Sequence, residues 1–316
     1  DNLIVGAATN DSLTGANLIN TWTFDVGNSK LEAGARALTF SGFELLNGGA
    51  GADTFTFADT VTFNGAIDGK GGDDPLLFTN YSTARNVVLT SVGSVDGFNG
   101  TTSIISNGFS NINTIVGSGA NGDTLTGANL SNNWKFDVGS SKLEVGINTL
   151  TFSSIETLNG GTASDTFTIA DGANFNGAIN GAAGNDTLTY ANSTTAHTVV
   201  LTSVGSTDGF NGNADGIAGG FSNVNAITGN GLDTLNGLNA DATWSVTGAN
   251  SVNYISGNTL NITAFAAYVG GNANDTLTFA ALSAARNVVT TSVGSVDGFN
   301  ITESNFVGTF GNMNTL

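Results

Sequence analysis

Apolar and polar residues alternate along this chain in short runs, and each run ends in a cluster of Gly, Asn and Asp. Asp53-Thr54-Phe55-Thr56-Phe57 is representative. A period of two puts Phe55 and Phe57 on one face and the threonines on the other, which is the pattern of a half-buried strand. The Gly and Asn residues between runs reach the positive φ values that tight bends require. An Asp follows such a cluster at Asp11, Asp53 and Asp74, then at Asp123, Asp165 and Asp186, then at Asp233 and Asp275. The gaps are 42, 21 and 49, then 42, 21 and 47, then 42, so multiples of 21 dominate. The spacing predicts an all-β parallel β-helix (β-solenoid) with about 21 residues per coil, each coil holding two or three short strands.

A longer repeat lies over the coils. Trp22-Thr23-Phe24-Asp25-Val26-Gly27 returns as Trp134-Lys135-Phe136-Asp137-Val138-Gly139, an offset of 112. Val87 to Gly93 returns at the same offset as Val199 to Gly205. The third copy opens at Asp233, an offset of 110 from Asp123, yet its Val288 and Val289 follow their second-copy partners at an offset of only 89. The difference is 21, one coil. Residues 1–316 therefore read as a single elongated solenoid with internal repeats 11–122, 123–232 and 233–316, the third short by one coil. Each full copy reads as about five coils plus a short loop insertion within Ser91 to Gly100, Ser203 to Gly212 and Ser292 to Asn300. Asp-Gly between apolar neighbours predicts a protruding hairpin or arc there. Its Phe98, Phe210 and Phe299 either fold back onto the coil edge or meet a neighbouring molecule. A second signature, Phe-Ser followed by spaced apolar residues and Gly, recurs from Phe40, Phe109, Phe152 and Phe221 and supplies candidate core rows.

Composition narrows the function classes. Gly is 45 of 316, but 40% hydrophobic residues and 20 Phe argue for a packed core rather than disorder. Gly has no three-residue period and there is one Pro, which excludes collagen. A formal net charge of −18, without a basic patch, argues against nucleic acid and anionic membrane as partners. With no Cys there are no disulfides and no thiolate chemistry. No apolar run approaches the roughly 20 residues of a membrane-spanning helix. The start at Asp1, without an initiator Met or signal peptide, reads as a processed or excised segment.

Candidate binding chemistry lies in the bends. Gly48-Gly49-Ala50-Gly51-Ala52-Asp53-Thr54-Phe55 and Gly181-Ala182-Ala183-Gly184-Asn185-Asp186-Thr187-Leu188 resemble the nonapeptide of calcium-binding RTX repeats. Gly69 to Asp74 and Gly270 to Asp275 do so too. That resemblance implies Ca²⁺ held between turns by Asp carboxylates and Gly carbonyls, best where two such turns lie one coil apart: Asp53 with Asp74, and Asp165 with Asp186. The alternative is that each Asp caps its own bend through side-chain to backbone hydrogen bonds. The whole pattern resembles the tandem β-strand-repeat segments of giant bacterial secreted and surface proteins, large adhesin-like or haemolysin-type. The resemblance implies right-handed coils and a secreted, cell-surface or extracellular location.

An enzyme is not expected. His197 occupies the copy-two position of Arg85 and Arg286, and Glu32 with Glu144, like Glu44 with Glu156, recur with the repeat. Residues duplicated with the architecture read as architecture. Thr-x-Thr pairs such as Thr54/Thr56 and Thr187/Thr189 recur too seldom along the sequence for a flat ice-binding face. Asp1 to Gly6 and Asn312 to Leu316 are in phase with the same signature strand, Asn111 to Gly117, so both ends expose strand edges. The reading is a structural extracellular solenoid that assembles head to tail with itself into a filament, sheath or surface layer. The alternative is a stalk or ligand-binding segment of a giant adhesin, with a surface glycan as ligand.

Overall fold

The structure is a computed structural model that describes residues 2–7 and 9–316. Among the described residues there are 34 strands and no helix, and the strands fall into two sheets of 17. The pairing is mostly parallel, as in a β-solenoid. The chain forms two compact units, Asp1–Asn132 with Ser140–Asn159, and Asn133–Gly139 with Gly160–Leu316.

In the first unit the parallel ladder of one sheet climbs from Asn20–Phe24 to Thr54–Phe57, Pro75–Leu77, Thr114–Val116 and Asn148–Ser153. Its registers are Trp22↔Phe55, Phe55↔Leu76, Leu76↔Ile115 and Ile115↔Phe152. Only the step from Phe55 to Leu76 has the coil length expected from the sequence, and in the other sheet only Leu46↔Ile67 does. The longer steps have one cause. Three-stranded antiparallel meanders are inserted into the ladder: Asn20–Phe24, Ser29–Ala33 and Arg36–Ser41 in the first sheet, then Asn86–Val92, Phe98–Thr102 and Ile105–Ile112 in the second. The Asp-Gly segment Ser91 to Gly100 is thus the first turn of a meander and lies in the sheet instead of standing off it.

The second unit repeats this logic. Its ladder runs Asn133–Asp137, Thr166–Ile169, Thr187–Thr189, Ala226–Thr228 and Asn258–Thr263, again with a single step of the expected coil length, Phe167↔Leu188. Meanders follow at Thr198–Val204 to Ile217–Val224 in the second sheet, at Ala242–Gly248 to Asn258–Thr263 in the first, and at Val288–Val293 to Thr309–Met313 in the second. Alternation has a physical reason. A meander adds two strands, each about 4.8 Å of height, to one sheet only. The next meander must add two to the other sheet, or the rungs fall out of level. The third copy lacks counterparts of Ala66–Lys70 and Pro75–Leu77, so Tyr268 pairs directly with Phe310, two coil lengths further along the sequence.

Inward positions of successive rungs form the core. Trp22 lies over Phe55 with ring centroids 5.9 Å apart, and Phe24 over Phe57 at 4.2 Å and nearly parallel. Trp134 and Phe167 repeat the first pair at 6.0 Å. Full burial of such rings stabilises by roughly 1.5–3 kcal/mol each. Trp22, Trp134 and Trp244 are all fully buried.

Candidate functional site

The bend aspartates are the most distinctive polar feature. Asp53, Asp74, Asp165 and Asp186 are buried, as are Asp123, Asp233 and Asp275. Each sits at the entry to a strand, where the backbone N–H has no ladder partner. For Asp53, Asp74, Asp165, Asp186 and Asp275 an Asp or Asn side chain of the neighbouring bend supplies one, and for Asp123 the Glu156 carboxylate does. In the first unit the Asn20 N–H donates to Asp53 Oδ1 (2.8 Å), the Asp53 N–H to Asp74 Oδ1 (2.7 Å), and the Asp74 N–H to Asn113 Oδ1 (3.2 Å). In the second unit the Asp165 N–H donates to Asp186 Oδ1 (2.8 Å) and the Asp186 N–H to Asn225 Oδ1 (3.0 Å). The sequence pairs are therefore brought together, one rung apart, as a relay of side chain to backbone.

Room for the other oxygen comes from glycine. A Cβ on Gly48 would lie 2.4 Å from Asp53 Oδ2, and one on Gly69 2.5 Å from Asp74 Oδ2. Gly160 and Gly181 stand in the same relation to Asp165 and Asp186. This is why a Gly precedes each of these Asp residues by five positions.

As placed, these carboxyls serve the backbone of the neighbouring bend. Ca²⁺ takes six to eight oxygens. Asp53 and Asp74 each commit one oxygen to a backbone N–H and turn the other towards a glycine, and Asp186 does likewise. Among the described residues no group of three acidic or histidine side chains is placed to hold a metal. The geometry is that of bend capping. Burial, then the charges of Asp53 and Asp96, push the Asp74 carboxyl up to about 8. Burial, aided by the charges of Asp165 and Asp208, pushes Asp186 up to about 7. Burial also raises Asp53 and Asp275. Asp74 and Asp186 thus retain a proton well above the ordinary carboxylate range.

The same relay also starts from residues that are neither Asp nor Asn. The Arg85 N–H donates to Asp123 Oδ1, and the Arg85 guanidinium lies 4.4 Å over the Tyr81 ring. The His197 N–H and Nδ1 both reach Asp233 Oδ1, at 2.7 and 3.0 Å, while the imidazole stacks on Tyr190. Ser193 Oγ lies 3.4 Å from His197 Nε2, so Ser193, His197 and Asp233 form a linear constellation that sequence reasoning missed. It is not arranged as a nucleophile with its base, because the buried Ser193 hydroxyl donates to Asp171 Oδ1 at 3.0 Å. Arg286 pairs instead with the buried Glu303 at 3.4 Å.

The Asp-Gly turns hold themselves in place. Asp96 Oδ2 accepts the Gly72 N–H and Asp208 Oδ2 the Gly184 N–H. Asn111 and Asn223, both at φ 53°, accept from Val95 and Thr207 across the same turns. Phe98 and Phe210 are fully buried beneath them, whereas Phe299 is 48% exposed. A threonine column is denser than the sequence suggests. Thr168, Thr189, Thr228 and Thr263 occupy successive rungs, because the longer intervals after Thr189 and after Thr228 are spent in meanders.

The second structural feature with functional potential is the set of strands with one free edge. Among the described residues Leu3–Val5 pairs only with Arg36–Ser41, Ser12–Thr14 only with Leu45–Gly49, and Val288–Val293 only with Phe299–Glu303. Apolar side chains there are uncovered. Ile4 is 38% exposed, while Ile115 and Ile227 at the equivalent position are fully buried.

Compared with protein-family models, curated proteins and solved structures, the chain matches none.

Proposed function

We propose that this chain is a structural β-solenoid that acts outside the cell by joining end to end with itself into a filament, sheath or surface layer. The observation that carries the reading is the contrast between equivalent residues. Phe299 is 48% exposed where Phe98 and Phe210 are fully buried, and Ile4 differs in the same way from Ile115 and Ile227. Among the described residues, rows that form core inside the fold are left open on these edge strands, together with backbone N–H and C=O groups that have no strand partner. Such edges are templates for strand addition. Contact between two different surface patches is heterologous and propagates. A net charge of −18 keeps lateral association weak at low salt and leaves the apolar edges as the attractive surfaces.

Electron microscopy and sedimentation velocity over a concentration series test this. Filaments lengthening with concentration are expected; monomers alone at every concentration and salt would sink the reading. The adhesin stalk is the second reading. Its candidate ligand loops contain Val95 and Val296, each 63% exposed at the Asp-Gly turns, and glycan-array binding lost on truncating these side chains would favour it.

A further inference from the structure

Resting on the end-to-end reading, we infer the register of the junction: Val288–Val293 of one molecule pairs in parallel with Ser12–Thr14 of a second copy. The argument comes from the two places where the same strand type is already covered. Asn86–Val92 pairs with Thr124–Thr126 through Val87↔Leu125 and Val88↔Thr126. Thr198–Val204 pairs with Thr234–Asn236 through Val199↔Leu235 and Val200↔Asn236. Val288–Val293 is the third strand of this type and has no such partner among the described residues. Ser12–Thr14 follows Asp11 as Thr124–Thr126 follows Asp123, and on its free side it lacks a strand of the Asn86–Val92 type. Each edge lacks what the other presents.

The register follows by equivalence: Asn287 with Ser12, Val288 with Leu13, Val289 with Thr14 of the second copy. Val288 and Leu13 are only half-buried in the single chain, whereas Val87, Val199, Leu125 and Leu235 are buried to 1% exposure or less. Pairing the two edges closes that deficit. The flanking polar contacts continue too. At the covered positions the N–H of Arg85 or His197 donates to the Asp ahead of the partner strand, and the Thr124 or Thr234 N–H donates back to the Arg85 or His197 carbonyl. Arg286 with Asp11 and Ser12 of the second copy reproduces both bonds.

The exposed Phe299 gives an independent check on the same docking. Phe210 is buried by the following meander, whose Tyr254 meets it edge-on at 5.5 Å. Tyr254 is the residue opposite Trp244, and Leu31 is the residue opposite Trp22. In the junction Leu31 of the second copy therefore stands where Tyr254 stands over Phe210, and it covers Phe299. In the other sheet Leu3–Val5 of the second copy and Thr315–Leu316 of the first are equivalents of the same strand, Thr114–Val116. One of the two yields its place, and removal of residues 314–316 is expected to leave assembly intact.

The chain has no cysteine, so introduced thiols report without background. Adjacent parallel strands lie about 4.8 Å apart, within disulfide reach. The variant carrying both Val289→Cys and Thr14→Cys, side chains outward and in register, is expected to give an intermolecular disulfide ladder on mild oxidation. The variant carrying Asn287→Cys and Thr14→Cys, out of register by two positions, is expected to give little. Phe299→Glu is expected to abolish assembly while the melting of the single chain is unchanged. Filaments with no ladder from the first pair, or with a stronger ladder from the second, overturn this register and leave end-to-end assembly standing. Neither filaments nor ladders from any variant overturn both.

Discussion

The backbone N–H of Asp53 donates to the Asp74 carboxylate at 2.7 Å, across one coil of the solenoid. The Asp74 carboxyl is pushed up to about 8, first by burial and then by its acidic neighbours, while its unfolded value is near 3.8. Between these values the folded chain holds a proton that the unfolded chain has released, so stability falls as pH rises. The loss is complete once pH passes the folded value. Asp186, at about 7, acts in the same direction over a narrower window. Melting temperature is expected to be higher at pH 5 than at pH 8.5, with a slope of at most about 1.4 kcal/mol per pH unit for each group. Asp74→Asn combined with Asp186→Asn keeps both acceptors and is expected to flatten the profile; an unchanged slope in thermal melts would refute the assignment.

Gly69 has no space for a side chain. An added Cβ would lie 2.3 Å from the Asn111 carbonyl oxygen and 2.5 Å from Asp74 Oδ2. Gly71, on the same bend, would meet nothing closer than 3.6 Å. Gly69→Ala is expected to destabilise by about 1–3 kcal/mol through overpacking, and Gly71→Ala to stay within about 0.5 kcal/mol. Urea titration of the two variants separates them.

Phe98 and Phe299 hold the same place in the repeat and opposite environments. Phe98→Ala is expected to cost about 3–5 kcal/mol, as for other fully buried rings. Phe299→Ala is expected to cost far less in dilute protein, where the ring is 48% exposed. Equal losses in chemical denaturation below the assembly concentration would contradict the difference in burial.

The tryptophans differ by one hydrogen bond. Trp244 Nε1 donates to Asp275 Oδ1 at 2.9 Å, whereas the buried Trp22 Nε1 meets no acceptor among the described residues. Trp244→Phe strips a donor from a buried carboxyl and is expected to cost about 1–3 kcal/mol beyond its packing loss. Trp22→Phe is expected to cost packing alone. Paired melts at pH 7 give the comparison.

The Asp-Gly turn at Asp96 and Gly97 was legible as a hairpin because its turn chemistry is local. Its place within the sheet was not, because that depends on Gly97 packing against the Ile112 backbone. Likewise the pairing of Asp53 with Asp74 could be read from their spacing of 21, but the donation that satisfies it could not. Spacing does not say whether a carboxylate faces a cation, solvent or a neighbour's N–H. The edges tell the same story, since Val87 and Val288 belong to the same motif and differ only in what lies above them.

Alternation, bend residues and repeat offsets are consequences of backbone geometry, and they determined the all-β architecture and the inward rows. Only the tertiary structure decided which stretches are parallel rungs and which are antiparallel meanders. A strand shows the same period of two whichever partner it takes, so the choice rests on non-local pairing and on keeping two sheets level.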